Sequence, residues 1–508
     1  MVLAALVLVV PTAAIPVHVD PDQVVATISP WIYGINTWPS LPADDPRFTI
    51  LRCGGNRFSA YNWENNASNA GSDWFFQNDG WLESSDEPAR AVTKFLDGAF
   101  ARRGGGMVQL SLLDYVAADK NGDGDVRNTP NYLDVRFRRN RFTVQGGKPI
   151  RGDADVYQAQ FAAYLAARYT SPRRNGQPLW FGLDNEPGLW SHTHAAIHPL
   201  KTTYAEMIER SAPLAASVKA MVPDAKIVGP CGFSWWESLN LAGAPDHGGR
   251  RFVDFYLQEL KQASANAGVR LLDVLDFHFY SEHQDTNGRR VTGRDTDEVA
   301  ASARVQASRS LWDGTYVENS WITRDILGNQ PIDYIGDLQG RINALWPGTG
   351  LGVTEWNFGG GHHISGAIAA ADALGAFGRF GLAGAMLWEL DAGNEPMNRA
   401  AFSVYRNYDG RGSRFGDRAL AVEWPVADRD KLAVYASRHS DDPGRVTLVA
   451  INRSPQPLGV SFSGLTWPKG GAPTFVLQGS AAEVVPGPTV GSSFDLAPRS
   501  ITVLRLGG

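Results

Sequence analysis

Leu179-Trp180-Phe181-Gly182-Leu183-Asp184-Asn185-Glu186-Pro187 is a short apolar run that ends on a carboxylate. Leu351-Gly352-Val353-Thr354-Glu355-Trp356-Asn357 repeats the pattern farther along the chain. Runs this short and this apolar fit strands buried on both faces. The two glutamates stand 169 residues apart, so a fold that uses them together has to return distant strands to one rim. A parallel barrel does so, because every strand delivers its carboxyl end to the same face. Two carboxylates on one rim are what hydrolysis of a sugar–sugar bond needs. One gives a proton to the leaving oxygen while the other attacks or stabilises the anomeric carbon.

Outward from these two runs, eight apolar segments stand out, at 31–36, 49–56, 107–116, 180–186, 226–233, 274–280, 350–358 and 383–390. Amphipathic stretches separate them, for example 156–169, 203–221 and 251–267, with an Ala-rich one at 365–380. Strands alternating with helices predict an α/β fold, a (β/α)8 TIM barrel spanning 31–415. Polar residues fall late in these segments: Asn36, Asn56, Asp114, Glu186, His278, Tyr280 and Glu355. Strand-stopping alone explains some of that. It does not favour Glu, Asn, His and Tyr so consistently.

From about residue 416 the texture changes to short β-rich runs spaced by Gly, Pro and Ser, such as 432–436, 445–451, 475–477 and 501–504. These predict an additional antiparallel β-sandwich domain made of 416–508 together with 15–30. No long Pro/Thr/Ser linker divides the two parts, so rigid packing is expected. Two domains also suit a chain of 508 residues.

A net charge of −6 without a long basic run argues against a nucleic-acid partner. Residues 1–14 resemble the apolar part and small-residue end of a secretory signal, though the usual basic start is missing. That run is too short to span a membrane. The expectation is a secreted, extracellular protein with no membrane partner, acting as a monomer. Cys53 and Cys231 each lie in a strand-like run and read as buried free thiols. The 16 Trp residues exceed what a core of this size needs. Indole suits stacking on sugar rings.

Asn185 beside Glu186 can hydrogen-bond a sugar 2-hydroxyl. Glu186 in a desolvated cleft would carry a raised pKa and act as general acid, then general base. Glu355 is the nucleophile candidate, and Glu389 in Trp388-Glu389-Leu390 is its rival. Strands four and seven face each other across such a barrel, so Glu355 is preferred. The bland alternative for each is a strand-end Glu paired with an Arg. His278 and Tyr280 would lie beside strand seven, with core packing the competing reading for His278. The expected substrate-binding set is Asn185, Trp63, Trp190, His194, His278, Tyr280, Trp356 and Trp388.

Two stretches bear on metals. His192, His194 and His198 have zinc-like spacing but better suit lining the cleft or capping the loop after strand four. Asp119, Asn121, Asp123 and Asp125 match the first half of a calcium loop, with Pro130 where the distal Glu should stand. Asp153 and Asp155 add two carboxylates, against the plain reading of a solvated acidic turn. The expectation is a structural Ca2+ at most, with no cofactor needed for catalysis.

Asp184-Asn185-Glu186-Pro187-Gly188-Leu189-Trp190-Ser191-His192-Thr193-His194, followed by Ile197-His198-Pro199, resembles glycoside hydrolase family 44. So do Tyr115-Val116-Ala117-Ala118-Asp119-Lys120, Tyr316-Val317-Glu318-Asn319-Ser320-Trp321 and Thr354-Glu355-Trp356-Asn357. The resemblance implies a barrel with a β-sandwich, and a retaining endo-β-1,4-glucanase acting on β-1,4-glucans such as cellulose derivatives and xyloglucan. It implies Glu186 as acid/base and Glu355 as nucleophile, and it allows a calcium near the acidic face. A β-mannanase or xylanase on the same barrel, a metal-dependent hydrolase and a non-catalytic glycan-binding protein are the rivals.

Overall fold

The computed structural model describes residues 14–38, 41, 45–143 and 154–507. Residues 1–13, most of the expected signal, and Asp153 therefore lie outside the described residues.

Eight strands form the barrel: Gly34–Asn36, Ile50–Cys53, Gly105–Leu110, Leu179–Leu183, Lys226–Gly232, Val274–Phe277, Gly350–Asn357 and Gly384–Leu387. Each falls inside or against one of the eight apolar segments. All pair in parallel, strand eight returns to strand one (Met386 opposite Gly34), and Val274 opposite Gly350 joins six to seven and closes the ring. Strand four is buried at every residue, which is why it reads as an unbroken apolar run. Ile50, Met107, Trp180, Val228, Cys231, Val274 and Met386 form their own buried cluster. They come from six of the eight strands and plug the barrel below its mouth. Gly384 makes room for the largest of them: a Cβ there would lie 2.7 Å from the Trp180 ring. Both cysteines are buried and free.

Helices follow the amphipathic pattern, including Gln158–Arg168, Tyr204–Met221 and Phe252–Ala267. Tyr204–Met221 starts on a reciprocal cap between Thr203 and Glu206, which satisfies two otherwise orphaned N–H groups. Helix Ile364–Arg379 differs, being buried at every position from Ile364 to Gly378. Its Ala and Gly residues let it sit between barrel and second domain. Asp372 on this helix accepts from Ser308 Oγ at 2.6 Å and Tyr435 Oη at 2.7 Å, and pairs with Arg453 at 2.8 Å. One buried carboxylate thus ties a barrel helix to strand Leu432–Arg438 of the second domain and to the residue that follows strand Val446–Asn452.

The second domain is one curled, hydrogen-bonded sheet of nine strands. Ile15–Thr27 runs antiparallel to Arg418–Glu423 and parallel to Leu458–Ser463, so the chain's early segment does close onto its last part. Among the described residues no helix is long and apolar enough to cross a membrane.

Candidate active site

Strand seven delivers Glu355 to the barrel mouth, and strand four ends just short of Glu186. Glu186 sits in the left-handed region (φ 48°, ψ 57°), with its N–H donating to Cys231 O at 2.8 Å. A non-glycine residue adopts that conformation at a cost, and such strain gathers where geometry matters. Asp184 anchors the turn from below, wholly buried and accepting from Ser59 Oγ, Gln109 Nε2 and the N–H groups of Leu112 and Asn185.

A carboxylate oxygen of Glu186 lies within 4.8 Å of one on Glu355. Arg52 Nη1 donates to Glu355 Oε1 at 2.6 Å, and Tyr280 Oη donates to Oε2 at 2.8 Å. Arg52 is fully buried and also donates to Asn36 Oδ1 (2.8 Å) and Asn185 Oδ1 (2.7 Å). His278 Nδ1 lies 3.0 Å from Glu186 Oε1 and 3.5 Å from Glu355 Oε2.

The environments of these groups differ. Burial pushes the Glu186 carboxyl up to about 7, against the pull of Arg52 and with the help of Asp73. It therefore holds a proton near neutrality. Burial lowers His278, which keeps the imidazole neutral. Burial and the two nearby glutamates raise Tyr280 well above the ordinary phenol value, so it remains a donor.

The pair opens on a groove cavity of about 660 Å³ lined by Asn185, Tyr280, Trp236 and Trp388, among others. A second cavity of about 680 Å³ continues it, sharing Gly55, Asn56, Asp73, Trp388 and Leu390, and adds Trp38, Trp74 and Trp81. Trp74 and Trp81 are more than half exposed, Trp81 with the Arg57 guanidinium over one face at 4.8 Å, which leaves the remaining ring surface open to a ligand. The rival Glu389 is bound differently, with Oε1 and Oε2 both taken by Arg399 at 2.6 and 3.1 Å. It matches the ion-paired strand-end Glu. Glu355 also meets an arginine, but its second oxygen faces Tyr280 and the groove.

Asn185, Tyr280 and Trp388 line the groove as expected of a binding set, and His278 lies directly beneath it. Four expected binding residues do not reach it. Trp356 is fully buried against Phe377 and Phe402. Adjacent strand residues point to opposite faces, so a strand that aims Glu355 inward aims Trp356 into the helix layer. Trp63 is buried and stacked on Phe161. Trp190 is buried too, its Nε1 donating to Asn185 O at 2.9 Å, which braces the acid's turn from behind. His194 is buried, and desolvation drops its pKa to about 3. The three histidines of its motif do not converge; His198 Nε2 meets Glu206 Oε1 at 2.8 Å instead.

The calcium-loop residues do not fit a cation. Arg136 binds both oxygens of Asp119 and Oδ1 of Asp123, and Arg127 binds both oxygens of Asp125. Asn121 uses its N–H to close the turn onto Asp119 Oδ1. Asp155 meets Arg141 at 2.8 Å. Guanidinium groups thus take the oxygens a calcium ion would need. Among the described residues, one set of three acid or His side chains converges: Glu186, His278 and Glu355. There too the positive charge on Glu355 comes from Arg52.

Arg52, Trp236, Trp74 and Trp81 are site residues that the sequence reading missed. Arg52 carried a signal: a charge inside the apolar run Ile50-Leu51-Arg52-Cys53 needs a buried partner. Trp236 and Trp81 lie on loops and Trp74 ends the one-turn helix Gly71–Trp74, so no periodicity marks their direction.

A family model described as glycoside hydrolase family 44 matches residues 67–283. Endoglucanase A of Paenibacillus lautus is 38% identical over 455 residues, which is 86% of this chain and 63% of that protein. β-Mannanase/endoglucanase A of Caldicellulosiruptor saccharolyticus is 35% identical, over 84% of this chain and 33% of that protein. The chain thus spans about 63% and 33% of the length of these two relatives. Among solved structures, a family 44 xyloglucanase from Paenibacillus polymyxa, with xyloglucan, superposes with a TM-score of 0.89. It is 32% identical, and the match covers 97% of this chain and 99% of that one.

Proposed function

The chain belongs to glycoside hydrolase family 44, and from that premise we propose that it is a retaining endo-β-1,4-glucanase. Its substrates on this reading are β-1,4-glucans, xyloglucan among them, cleaved by double displacement. The carrying observation is the separation of the two carboxylates, within 4.8 Å at their nearest oxygens. Retaining enzymes hold theirs about 5–5.5 Å apart, whereas inverting ones leave roughly 6.5–9.5 Å for a water. Glu186, protonated near neutrality, gives its proton to the leaving oxygen as Glu355 attacks the anomeric carbon. Glu186, now ionised, then takes a proton from the water that frees the sugar. Arg52 and Tyr280 hold Glu355 at both oxygens, which fixes the line of attack. The long double cavity with several indoles suits a polymer bound along its length. The two carboxylates supply this chemistry without a metal.

One chain carries the whole constellation, so we take the active unit to be the monomer. A polysaccharide of this size is met outside the cell, and we place the protein there. The decisive experiment is product analysis on xyloglucan, carboxymethylcellulose, mannan and xylan, with the anomer of the first product read by proton NMR. Release of internal fragments from the glucans with the β-anomer appearing first supports the proposal. Cleavage confined to mannan or xylan would replace the substrate, an α-anomer would remove the mechanism, and binding without product would leave a glycan-binding protein.

A further inference from the structure

Glu237 is a carboxylate that the mechanism above leaves unused. It opens the short helix Glu237–Asn240 in the loop after the fifth barrel strand, and it is fully buried. Among the described residues it enters no ion pair. Instead Oε1 accepts from the Gly188 N–H at 2.9 Å, and Oε2 accepts from the Phe233 N–H. Gly188 stands two residues after Glu186, and Phe233 is part of the groove wall. One side chain therefore joins the turn of strand four to the rim of strand five.

The backbone around it is cut to fit. A Cβ on Gly188 would lie 2.8 Å from Glu237 Oε1, and one on Gly232 would lie 3.0 Å from Oε2. Glu186 holds its left-handed conformation only because its surroundings impose it. The ties that do so include Glu186 N–H to Cys231 O at 2.8 Å, Thr202 Oγ1 to Pro187 O at 2.6 Å, Trp190 Nε1 to Asn185 O at 2.9 Å, and Glu237 to Gly188. Only the last reaches the turn with a side chain that bridges two loops. A buried carboxyl without a cation is costly to keep, and packing alone would favour an apolar residue there. Burial pushes this one up to about 8, with Glu186 contributing. Groups perturbed this way gather at functional sites.

We propose that Glu237 is a positioning residue for the acid/base, clasping the Glu186 turn to the strand-five rim so that the Glu186 carboxyl meets the scissile oxygen. The proposal rests on the reading of Glu186 as proton donor. Glu237→Gln keeps one carbonyl oxygen but turns an amide N–H2 against a backbone N–H, so one arm of the clasp opens. Misplacing a catalytic group by about an ångström costs on the order of 100-fold.

The test is kcat/KM on two aryl β-cello-oligosides, one with a 4-methylumbelliferyl and one with a 2,4-dinitrophenyl leaving group. The first needs a proton on departure and the second does not. Glu237→Gln should lose about 10-fold or more on the first and stay within about 2-fold of the native enzyme on the second. Gly188→Ala pushes on the same contact from the other side and should show the same split, which keeps the test open should Glu237→Gln fail to fold. A uniform fall on both substrates, or no fall on either, overturns the clasp. Glu186→Gln run alongside separates the two claims. If it loses no more on the first substrate than on the second, the reading of Glu186 falls and the inference with it. If it shows the split while both clasp variants lack it, the inference alone falls.

Discussion

Replacing Glu186 by Gln should stabilise the folded protein at alkaline pH while stopping turnover of a glucan. Burial lifts this carboxyl from an ordinary 4.5 to about 7. Each pH unit between those values corresponds to ~1.4 kcal/mol, so the folded chain disfavours the ionised form by ~3 kcal/mol. The side chain is only 15% exposed, so little of this is screened. Because the folded pKa is raised, the stabilising contribution is whole below pH 4.5 and is lost as pH climbs through 7. At pH 8 the native chain holds a buried charge that Gln never carries, and Gln keeps an oxygen for His278. Thermal melts at pH 5 and pH 8 measure it. The variant should melt close to the native protein at pH 5 and clearly above it at pH 8. Asp184 and Glu318, raised by burial to about 6 and 7, are common to both proteins and cancel, whereas Glu237, raised to about 8 by burial and in part by Glu186, falls when that charge is removed and adds to the gain at pH 8. Equal melting at both pH values would mean that Glu186 is not desolvated. Glu186 would then not hold its proton near neutrality.

Arg52→Met strips a donor from Glu355, Asn36 and Asn185 together. It should destabilise the fold by ~3–5 kcal/mol in melts and abolish turnover. Because Arg52 holds the Glu186 pKa down, any residual activity should also lose its alkaline limb at higher pH than the native enzyme. Tyr280→Phe removes a hydrogen bond to Glu355 Oε2, worth ~1.5–3 kcal/mol to the folded state, so melting should fall by that order and kcat/KM should drop about 10- to 100-fold as Glu355 loses its orientation. Trp388→Ala should raise KM for polymeric glucan without affecting stability. Trp356→Ala, from a fully buried site, should cost ~3–5 kcal/mol of stability and leave KM alone. Exhaustive chelation should leave the rate on soluble glucan unchanged, and a rate restored only by added cation would return metal chemistry to the site.

The strands were legible because burial on both faces writes itself into consecutive apolar residues. Segments 180–186 and 350–358 contain strands Leu179–Leu183 and Gly350–Asn357 almost residue for residue. The helices were legible for the same local reason, as at Tyr204–Met221 with its Thr203–Glu206 cap. Position along a strand was also readable, which is why Glu186, Glu355, Tyr280 and Asn185 could be singled out. Direction was not. Trp356, Trp63, Trp190 and His194 are aromatic and stand near strand ends, yet all four pack into the interior. Side-chain chemistry alone does not say which wall of a barrel a residue faces. The acidic loop shows the same limit, since calcium spacing at Asp119, Asn121, Asp123 and Asp125 was answered by Arg136 and Arg127.

What the chain's sequence decided by itself is the set of elements and the two rim carboxylates, since periodicity and strand ends are properties of neighbouring residues. What only the tertiary structure decided is partnership. Arg52 reaches Glu355 across 303 residues, and Tyr280 across 75. Glu237 reaches the acid's turn from the loop of another strand. Closing the barrel turns such separations into hydrogen-bond lengths, and the field of groups brought together that way sets which carboxyl keeps its proton.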